Sequence, residues 1–562
     1  MVDKLVNLNT LYLLAKSEGY YRQLSAKSIN QPINTSCLCI NVHYLSNLRH
    51  KIGLVYLSGA LPCFENFGNL PTHLVCADGQ VDGKPASEVL DMIIIPGGSL
   101  VESASINPTV AKEITKMAQA GKYVLGVCSG FQVLAKETDI GRLSTSPITR
   151  KGLGLLDAEF KPLICTERVW ASIVDTSFIT KQIGQKVSGF HCHTYGQTIL
   201  HKNARPILIT HAQRVNYKKN PQDLISGVTN KEGNISGVFI HGLIDKNPII
   251  IQSIQQSLDI TPHDLNEIKK ANTELLKNIQ NEIGISTNIR QQQPLTNQTP
   301  PKLILVTALG SGSGKTFLVT GIAGALKKRG YKVGVLKVGG DIRDAVSSLY
   351  LTKEPIQEYS SIKIGESGWT PLEQAIPMAS QDYNFIIIEG AMSAFTGLLN
   401  QNYSRPMSTA EVAAALDAST IVVVGCDKEG IEGALISALN YIRNLQSLGV
   451  KVQGVILNKL RISYLTEQTK QMIQHAFQQA GVTLLGMIPR LDLEARGMIP
   501  EIEIQYEAFG TQALNTAEEC LDLELLTKIA TPPKITKIDY DLFVAKFKNL
   551  ITNHTLSDSK GE

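Results

Sequence analysis

Across residues 50 to 260, short runs of β-branched and other apolar residues end at glycine or proline: KIGLVYL, DMIIIPGG and YVLGVCSG. Between the last two lies PTVAKEITKMAQAG, whose apolar residues have helical spacing. Runs of this length bounded by turn residues read as strands, and their alternation with a helix predicts a parallel sheet with crossover connections. The rhythm returns after residue 302 in KLILVTALG, KVGVLKVGG, FIIIEGA, TIVVVGC and KVQGVILNK, each followed by a stretch that can be helical. Strands so continuously apolar are expected to be covered on both faces, so this region too reads as doubly wound α/β. Residues 287 to 302, TNIRQQQPLTNQTPPK, carry no apolar period and read as a linker. The expected organisation is an extension without a readable motif at 1–49, an α/β domain at 50–260, a helical segment and linker at 261–301, a second α/β domain at 302–535, and a tail at 536–562. The last fifteen or so residues, ending LSDSKGE, are expected to fray.

Composition narrows the class. A chain of 562 residues, 43% hydrophobic and 19% charged, can bury two large cores. The net charge of +4 is dispersed rather than gathered into a basic run, which argues against nucleic acid as a partner. No apolar stretch approaches the roughly 18 to 20 residues a membrane span needs, and the first residues lack the layout of a cleavable signal. A cytoplasmic location is therefore expected. Nine scattered cysteines make a disulfide framework improbable. His191, Cys192 and His193 form a local cluster, but no second ligand pair stands near them in sequence, which weighs against zinc.

The first candidate for chemistry is Cys128 in GVCSGFQ. Gly126 and Gly130 would allow a sharp turn from strand to helix, leaving the thiol at a helix N-terminus that favours the thiolate. The Pro-Gly-Gly turn of DMIIIPGGSLVE could aim the amides of Gly97 and Gly98 at an oxyanion. In GNISGVFIHGLIDKN, His241 follows an apolar strand and could act as the base for Cys128. A buried structural cysteine and a structural histidine are the plainer alternatives, and the three segments together favour catalysis.

The second candidate is GSGSGKT. It follows the strand LILVT and precedes a helical stretch, the context of a phosphate loop. The backbone of Gly310, Gly312, Ser313 and Gly314 would cradle phosphates, Lys315 would reach the β and γ positions, and Thr316 would hold Mg²⁺. Leu309 stands where the common spacing has glycine, so the loop is a variant.

The segments around Cys128, Gly97 and His241, with GLGLLDAEF and SGFHCHTYGQT, resemble the class I glutamine amidotransferase domain in the branch that includes cobyric acid synthase and cobyrinic acid a,c-diamide synthase. The wider class has a glutamate two residues after the histidine; here Leu243 stands there, as in that branch. The orienting partner of His241 is thus left open, with Tyr195 or a backbone carbonyl as candidates. The second region resembles the dethiobiotin-synthetase-like P-loop ATPase domain of the same enzymes. That resemblance implies Lys337 facing a substrate carboxylate and the γ-phosphate, Asp341 and Glu389 on the Mg²⁺ side with Asp344 competing with Asp341, Ser408 and Thr409 in a substrate loop, and Asn458 at the nucleotide base. Ala308 and Thr396 depart from that pattern.

The implied reaction is ATP-driven amidation of a carboxylate. Phosphoryl transfer turns a poor electrophile into an acyl phosphate, and ammonia released from glutamine attacks it. The resemblance implies a corrinoid small molecule as substrate, ATP and Mg²⁺ as cofactors and glutamine as ammonia donor, with no nucleic acid or membrane partner and a homodimer left open. Amidation of another acid, such as nickel-sirohydrochlorin or a cell-wall carboxylate, is the alternative within the class. A non-catalytic P-loop regulatory or binding protein is the alternative outside it. Free ammonia is largely ammonium at neutral pH, so an internal route between the domains is expected. In the families it resembles the ATPase part comes first, whereas here the glutaminase part does, so the interdomain geometry cannot be borrowed.

Overall fold

Each apolar run quoted above forms a strand. In the computed structural model, which describes residues 48–284, 287–288, 300–400, 404–461, 465–491 and 506–556 (backbone alone at 287–288 and 553–556), the first sheet has ten strands. Most of the N-terminal extension (1–47), the middle of the linker (289–299) and the end of the tail (557–562) lie outside the described residues. Both sheets belong to one compact unit, residues 40–562.

The first sheet contains β1 (Ile52–Val55), β2 (His73–Val75), β3 (Met92–Ile95), β4 (Tyr123–Val127), β5 (Arg168–Ile173), β6 (Lys186–His191), β7 (Ala204–Val215), β8 (Lys218–Asn230), β9 (Ile235–Val238) and β10 (Ile240–His241). Their order is β10-β6-β5-β7-β8-β9-β4-β3-β1-β2. Parallel pairing runs through β2, β1, β3, β4 and β9, and the helix α1 (Pro108–Gln119) connects β3 to β4. From β8 to β10 the pairing is antiparallel, which the apolar runs did not predict. For β7 and β8 the reason is local. Between Val215 and Lys218, Asn216 and Tyr217 both take positive φ (50° and 65°), the conformation of a tight hairpin turn, so β8 returns directly along β7.

The second sheet is parallel throughout. It contains β11 (Lys302–Ala308), β12 (Val333–Val338), β13 (Ser361–Ile362), β14 (Phe385–Ser393), β15 (Ser419–Gly425), β16 (Val452–Leu460) and β17 (Thr483–Pro489), in the order β13-β12-β14-β11-β15-β16-β17. Separate apolar cores lie on its two faces, which is why its strands carry near-continuous apolar runs. Where the last fifteen or so residues are expected to fray, a helix, Tyr540–Leu556, continues to residue 556, and it buries Phe543 against one of those cores.

The two regions share apolar packing. Leu61, Phe64, Phe190 and Cys192 of the first join a core of the second, and the Ile356 amide donates to the Phe64 carbonyl at 3.2 Å. Among the described residues no helix is long and apolar enough to cross a membrane.

Candidate active site

β4 ends at Val127, and the next residue is the nucleophile candidate. Cys128 takes φ 52° and ψ −108°, then the chain enters the short helix α2 (Ser129–Leu134). A non-glycine residue held there costs about 1–3 kcal/mol, which the surrounding packing must impose. Both neighbouring glycines are required by close approach. A Cβ at Gly126 would lie 2.4 Å from the Gly130 carbonyl oxygen, and one at Gly130 would lie 2.1 Å from that of Ile95. The Cys128 thiol donates to the Cys192 carbonyl at 3.4 Å. Burial pushes the thiol well above its ordinary range, against the lowering contribution of the Ser129 amide. The helix N-terminus therefore does not by itself produce a thiolate, and a base is needed.

His241 stands beside it. An ideal Cβ on Gly97 would sit 2.8 Å from His241 Cε1, 3.7 Å from its Nε2 and 3.6 Å from Cys128 Cβ. Only a glycine at 97 leaves room for imidazole and thiol to adjoin. The ring stacks on Phe64, with centroids 4.1 Å apart, and on Phe190, at 5.3 Å.

Its orienting partner is Glu65. The carboxylate accepts from His241 Nδ1 at 2.9 Å and from the Gly242 amide at 2.8 Å, and both side chains are buried. An acceptor at Nδ1 places the ring proton there and turns Nε2, with its lone pair, the other way. Tyr195 is not that partner: it is fully buried, and its carbonyl accepts from Gln132 at 3.3 Å. Leu243, where the wider class has its glutamate, packs into an apolar core. Glu65 escaped the sequence reading because it lies 176 positions from His241. The signal available was a single carboxylate inside the apolar stretch LPCFENFGNL.

Gly98 lines the same cavity as Cys128. Its φ is 137°, and a Cβ there would collide with the Gly59 carbonyl at 2.0 Å. Glu102 also faces this cavity; burial raises its carboxyl to about 7.

The phosphate loop sits between β11 and the helix α3 (Lys315–Lys328). Gly312 and Gly314 have φ of 79° and 86°, and a Cβ on Gly314 would lie 2.2 Å from Asn458 Nδ2. Asn458 donates to the Ser313 carbonyl at 2.9 Å and Lys459 to that of Gly312 at 2.6 Å, so β16 braces the loop from outside. Ser313 Oγ donates to the Gly310 carbonyl at 3.0 Å.

Strand register assembles the charged centre. Lys337 of β12 lies directly opposite Glu389 of β14. Glu389 Oε1 accepts from Thr316 at 2.7 Å, Lys337 at 3.3 Å and Lys315 at 3.5 Å, whereas Oε2 is buried without a partner. Lys337 also pairs closely with Asp344. Although burial opposes its charge, Glu389 and Asp344 hold Lys337 above the ordinary lysine range. Burial lowers Lys315.

The remaining predicted residues divide. Asp341 lines the cavity, but its carboxylate is taken by Arg343, at 2.8 and 2.9 Å, and by Tyr217, at 3.3 Å; Asp344 is the carboxylate beside Lys337. Ser408 and Thr409 are buried and do not line the cavity. Ser408 caps a short helix through the Glu411 amide at 3.2 Å, and Thr409 accepts from the Ala391 amide at 3.0 Å, tying that loop to the end of β14.

One cavity of about 1460 Å³ contains both centres. Cys128, His241 and Gly98 line one part, and Gly310 to Thr316, Lys337, Asp344 and Asn458 line the other. Arg343 spans the seam, donating to Thr194 at 3.1 Å and contacting Tyr217 at the hairpin tip, and Trp369 donates to the Thr166 carbonyl at 3.2 Å.

Known proteins share these parts. Residues 54–249 match the CobB/CobQ-like glutamine amidotransferase domain, and residues 304–499 match the CobQ/CobB/MinD/ParA nucleotide binding domain. Hydrogenobyrinate a,c-diamide synthase of Mycobacterium bovis is 33% identical over 235 residues, covering 40% of this chain and 49% of the relative. Cobyric acid synthase of Dehalococcoides mccartyi is 33% identical over 162 residues, 28% of this chain and 31% of the relative. Cobyrinate a,c-diamide synthase of Methanosarcina barkeri is 28% identical over 205 residues, 36% and 40% respectively. The chain thus spans about half the length, or less, of these curated relatives. It carries a CobB/CobQ-like glutamine amidotransferase domain followed by a CobQ/CobB/MinD/ParA nucleotide binding domain.

Proposed function

We propose that this protein uses glutamine and ATP to amidate peripheral carboxylates of a corrinoid precursor, with cobyrinic acid as the acceptor type. The observation that carries the reading is the single cavity lined by Cys128 and His241 at one part and by Lys315, Lys337 and Asp344 at the other. An acyl phosphate and an ammonia source need a shared enclosed space, because free ammonia is largely protonated in neutral water.

In the glutaminase half, His241 Nε2 takes the Cys128 proton as the sulfur attacks the amide carbon of glutamine. The imidazolium, steadied by Glu65, returns a proton as ammonia leaves. Water then hydrolyses the thioester to glutamate and regenerates the thiol. In the ATPase half, Lys315 and Lys337 neutralise the transferring γ-phosphoryl group as it passes to a substrate carboxylate oxygen, with ADP leaving. Ammonia attacks the acyl carbon and phosphate departs.

Thr316, Glu389 and Asp344 are the groups that would hold Mg²⁺. The unpartnered buried Oε2 of Glu389 fits that role, since a buried carboxylate oxygen without a donor is costly unless a cation meets it. The ion would supply charge neutralisation for the transferring phosphoryl group.

Cys128→Ala is expected to abolish glutamine-supported amidation of cobyrinic acid and to leave ammonia-supported amidation intact, read by mass spectrometry of the products. Equal loss of both would remove Cys128 from the assigned role. Offering cobyrinic acid, its a,c-diamide and nickel-sirohydrochlorin in parallel tests the acceptor.

A further inference from the structure

The three-residue run His191, Cys192, His193 gains its missing companion only in the fold. Cys165, 26 positions upstream of His191, lies opposite His193 in an antiparallel bridge. The Cys165 amide donates to the His193 carbonyl and the His193 amide to the Cys165 carbonyl, both at 3.1 Å. The His191 amide donates to the Glu167 carbonyl at 2.9 Å, continuing the ladder. Opposed residues share a face and alternate residues return to it. Cys165, His191 and His193 therefore project to one side, and Cys192 to the other, where it joins the core shared with the second sheet.

On that side, one donor atom from each of the three lies within 4.8 Å of the others, and all three side chains are buried. His191 Nδ1 stands 3.3 Å from Cys165 Sγ, close to the separation of about 3.5 Å that tetrahedral zinc bond lengths impose on a sulfur and a nitrogen ligand. His193 Nδ1 lies 3.3 Å from the Leu163 carbonyl, an outer contact that fixes the tautomer and leaves Nε2 with its lone pair. His191 Nε2 is buried with no hydrogen-bond partner. Space is reserved for this arrangement: a Cβ on Gly196 would lie 1.9 Å from His193 Cε1. Three buried donor atoms converging at this spacing form a ready ligand set, in which His191 would use Nδ1, the nitrogen that faces the sulfur, and carry its proton on Nε2.

We propose that Cys165, His191 and His193 bind a single zinc ion, with the fourth position left to water. As the sulfur–zinc bond forms, the Cys165 thiol proton leaves to solvent. The site clamps the strand whose Cys192 carbonyl meets the Cys128 thiol, so metal occupancy holds the nucleophile's wall in place.

The test uses the full chain, freed of metal by a chelator and titrated with zinc against a chromophoric competitor, with cobalt as a second probe. Expected are one tightly held zinc per chain and a thiolate-to-cobalt charge-transfer band. His191→Gln is expected to weaken zinc binding more than about 100-fold, beyond the 10–100-fold loss that removal of an outer partner brings. Cys165→Ser should abolish the cobalt band. Should either variant fail to fold, as judged by circular dichroism, the stoichiometry and cobalt spectrum of the unaltered chain decide alone. Failure of the unaltered chain to retain zinc, or an undiminished cobalt band in Cys165→Ser, overturns the assignment.

Discussion

At one end of the cavity the reactive groups already have protein partners: Cys128 donates to the Cys192 carbonyl, and His241 is held by Glu65 and stacked on Phe64. At the other end Lys315, Lys337, Asp344 and Glu389 crowd together, with Glu389 Oε2 unpartnered. The glutaminase end is preorganised by ring stacking and buried hydrogen bonds. The other end holds a cluster of charges with one carboxylate oxygen left unpartnered. Preorganisation suits a step in which a proton moves between adjacent atoms. A surplus of charged groups suits a step in which several negative charges must be brought in and stabilised.

The sharpest way to break this contrast is Lys315→Ala. It should lower both glutamine- and ammonia-supported amidation by about 10³-fold or more, the scale on which a lost cation acts on a transferring phosphoryl group. Glutamine hydrolysis assayed alone should survive. Loss of glutaminase activity in the same variant would mean that the two ends are not separable.

Glu65→Gln comes next. With the acceptor at His241 Nδ1 weakened, glutamine hydrolysis should fall by about 10²–10⁴-fold while ammonia-supported synthesis is unchanged. Glu65→Asp should recover part of the rate. A glutaminase indifferent to Glu65→Gln would return the orienting role to another group.

The two aspartates after β12 sharpen the nucleotide end. Asp344→Asn should reduce ammonia-supported turnover by about 10–100-fold, as loss of a group next to the metal and phosphoryl sites does. Asp341→Asn should instead leave that rate nearly unaltered and cost about 1–3 kcal/mol of stability, because its carboxylate is held by Arg343 and Tyr217 at a mostly buried seam. The reverse ranking in paired kinetic and denaturation measurements would restore Asp341 as the metal-side carboxylate.

The smallest effect is a pH dependence. Burial raises the Glu102 carboxyl from the ordinary 4.5 to about 7. Between those values the folded protein holds a proton that the unfolded chain has released, so stability falls as pH rises through that window. Glu102→Gln should flatten the slope of the urea midpoint between pH 5 and 7; an unchanged slope would show that Glu102 does not titrate there.

Much of this was legible in the primary structure wherever chemistry and local geometry coincide. A strand, a glycine loop and a helix are contiguous, so GSGSGKT announces its own fold, and Gly126 and Gly130 announce the turn at Cys128. The departure came in the first sheet. Its longest antiparallel pair, β7 with β8, depends on a two-residue turn at Asn216 and Tyr217, and apolar runs do not distinguish a return by hairpin from a return by helix.

Local sequence sufficed for the strands, the nucleophile's turn and the phosphate loop, because backbone sterics and hydrophobic period act over a few neighbouring residues. Glu65 beside His241, Asp344 rather than Asp341 beside Lys337, Cys165 beside His191, and the shared cavity all required the tertiary structure. Each depends on which strands lie side by side and in what register, and that is decided by burying the apolar faces of whole sheets rather than by any property of the residues that meet.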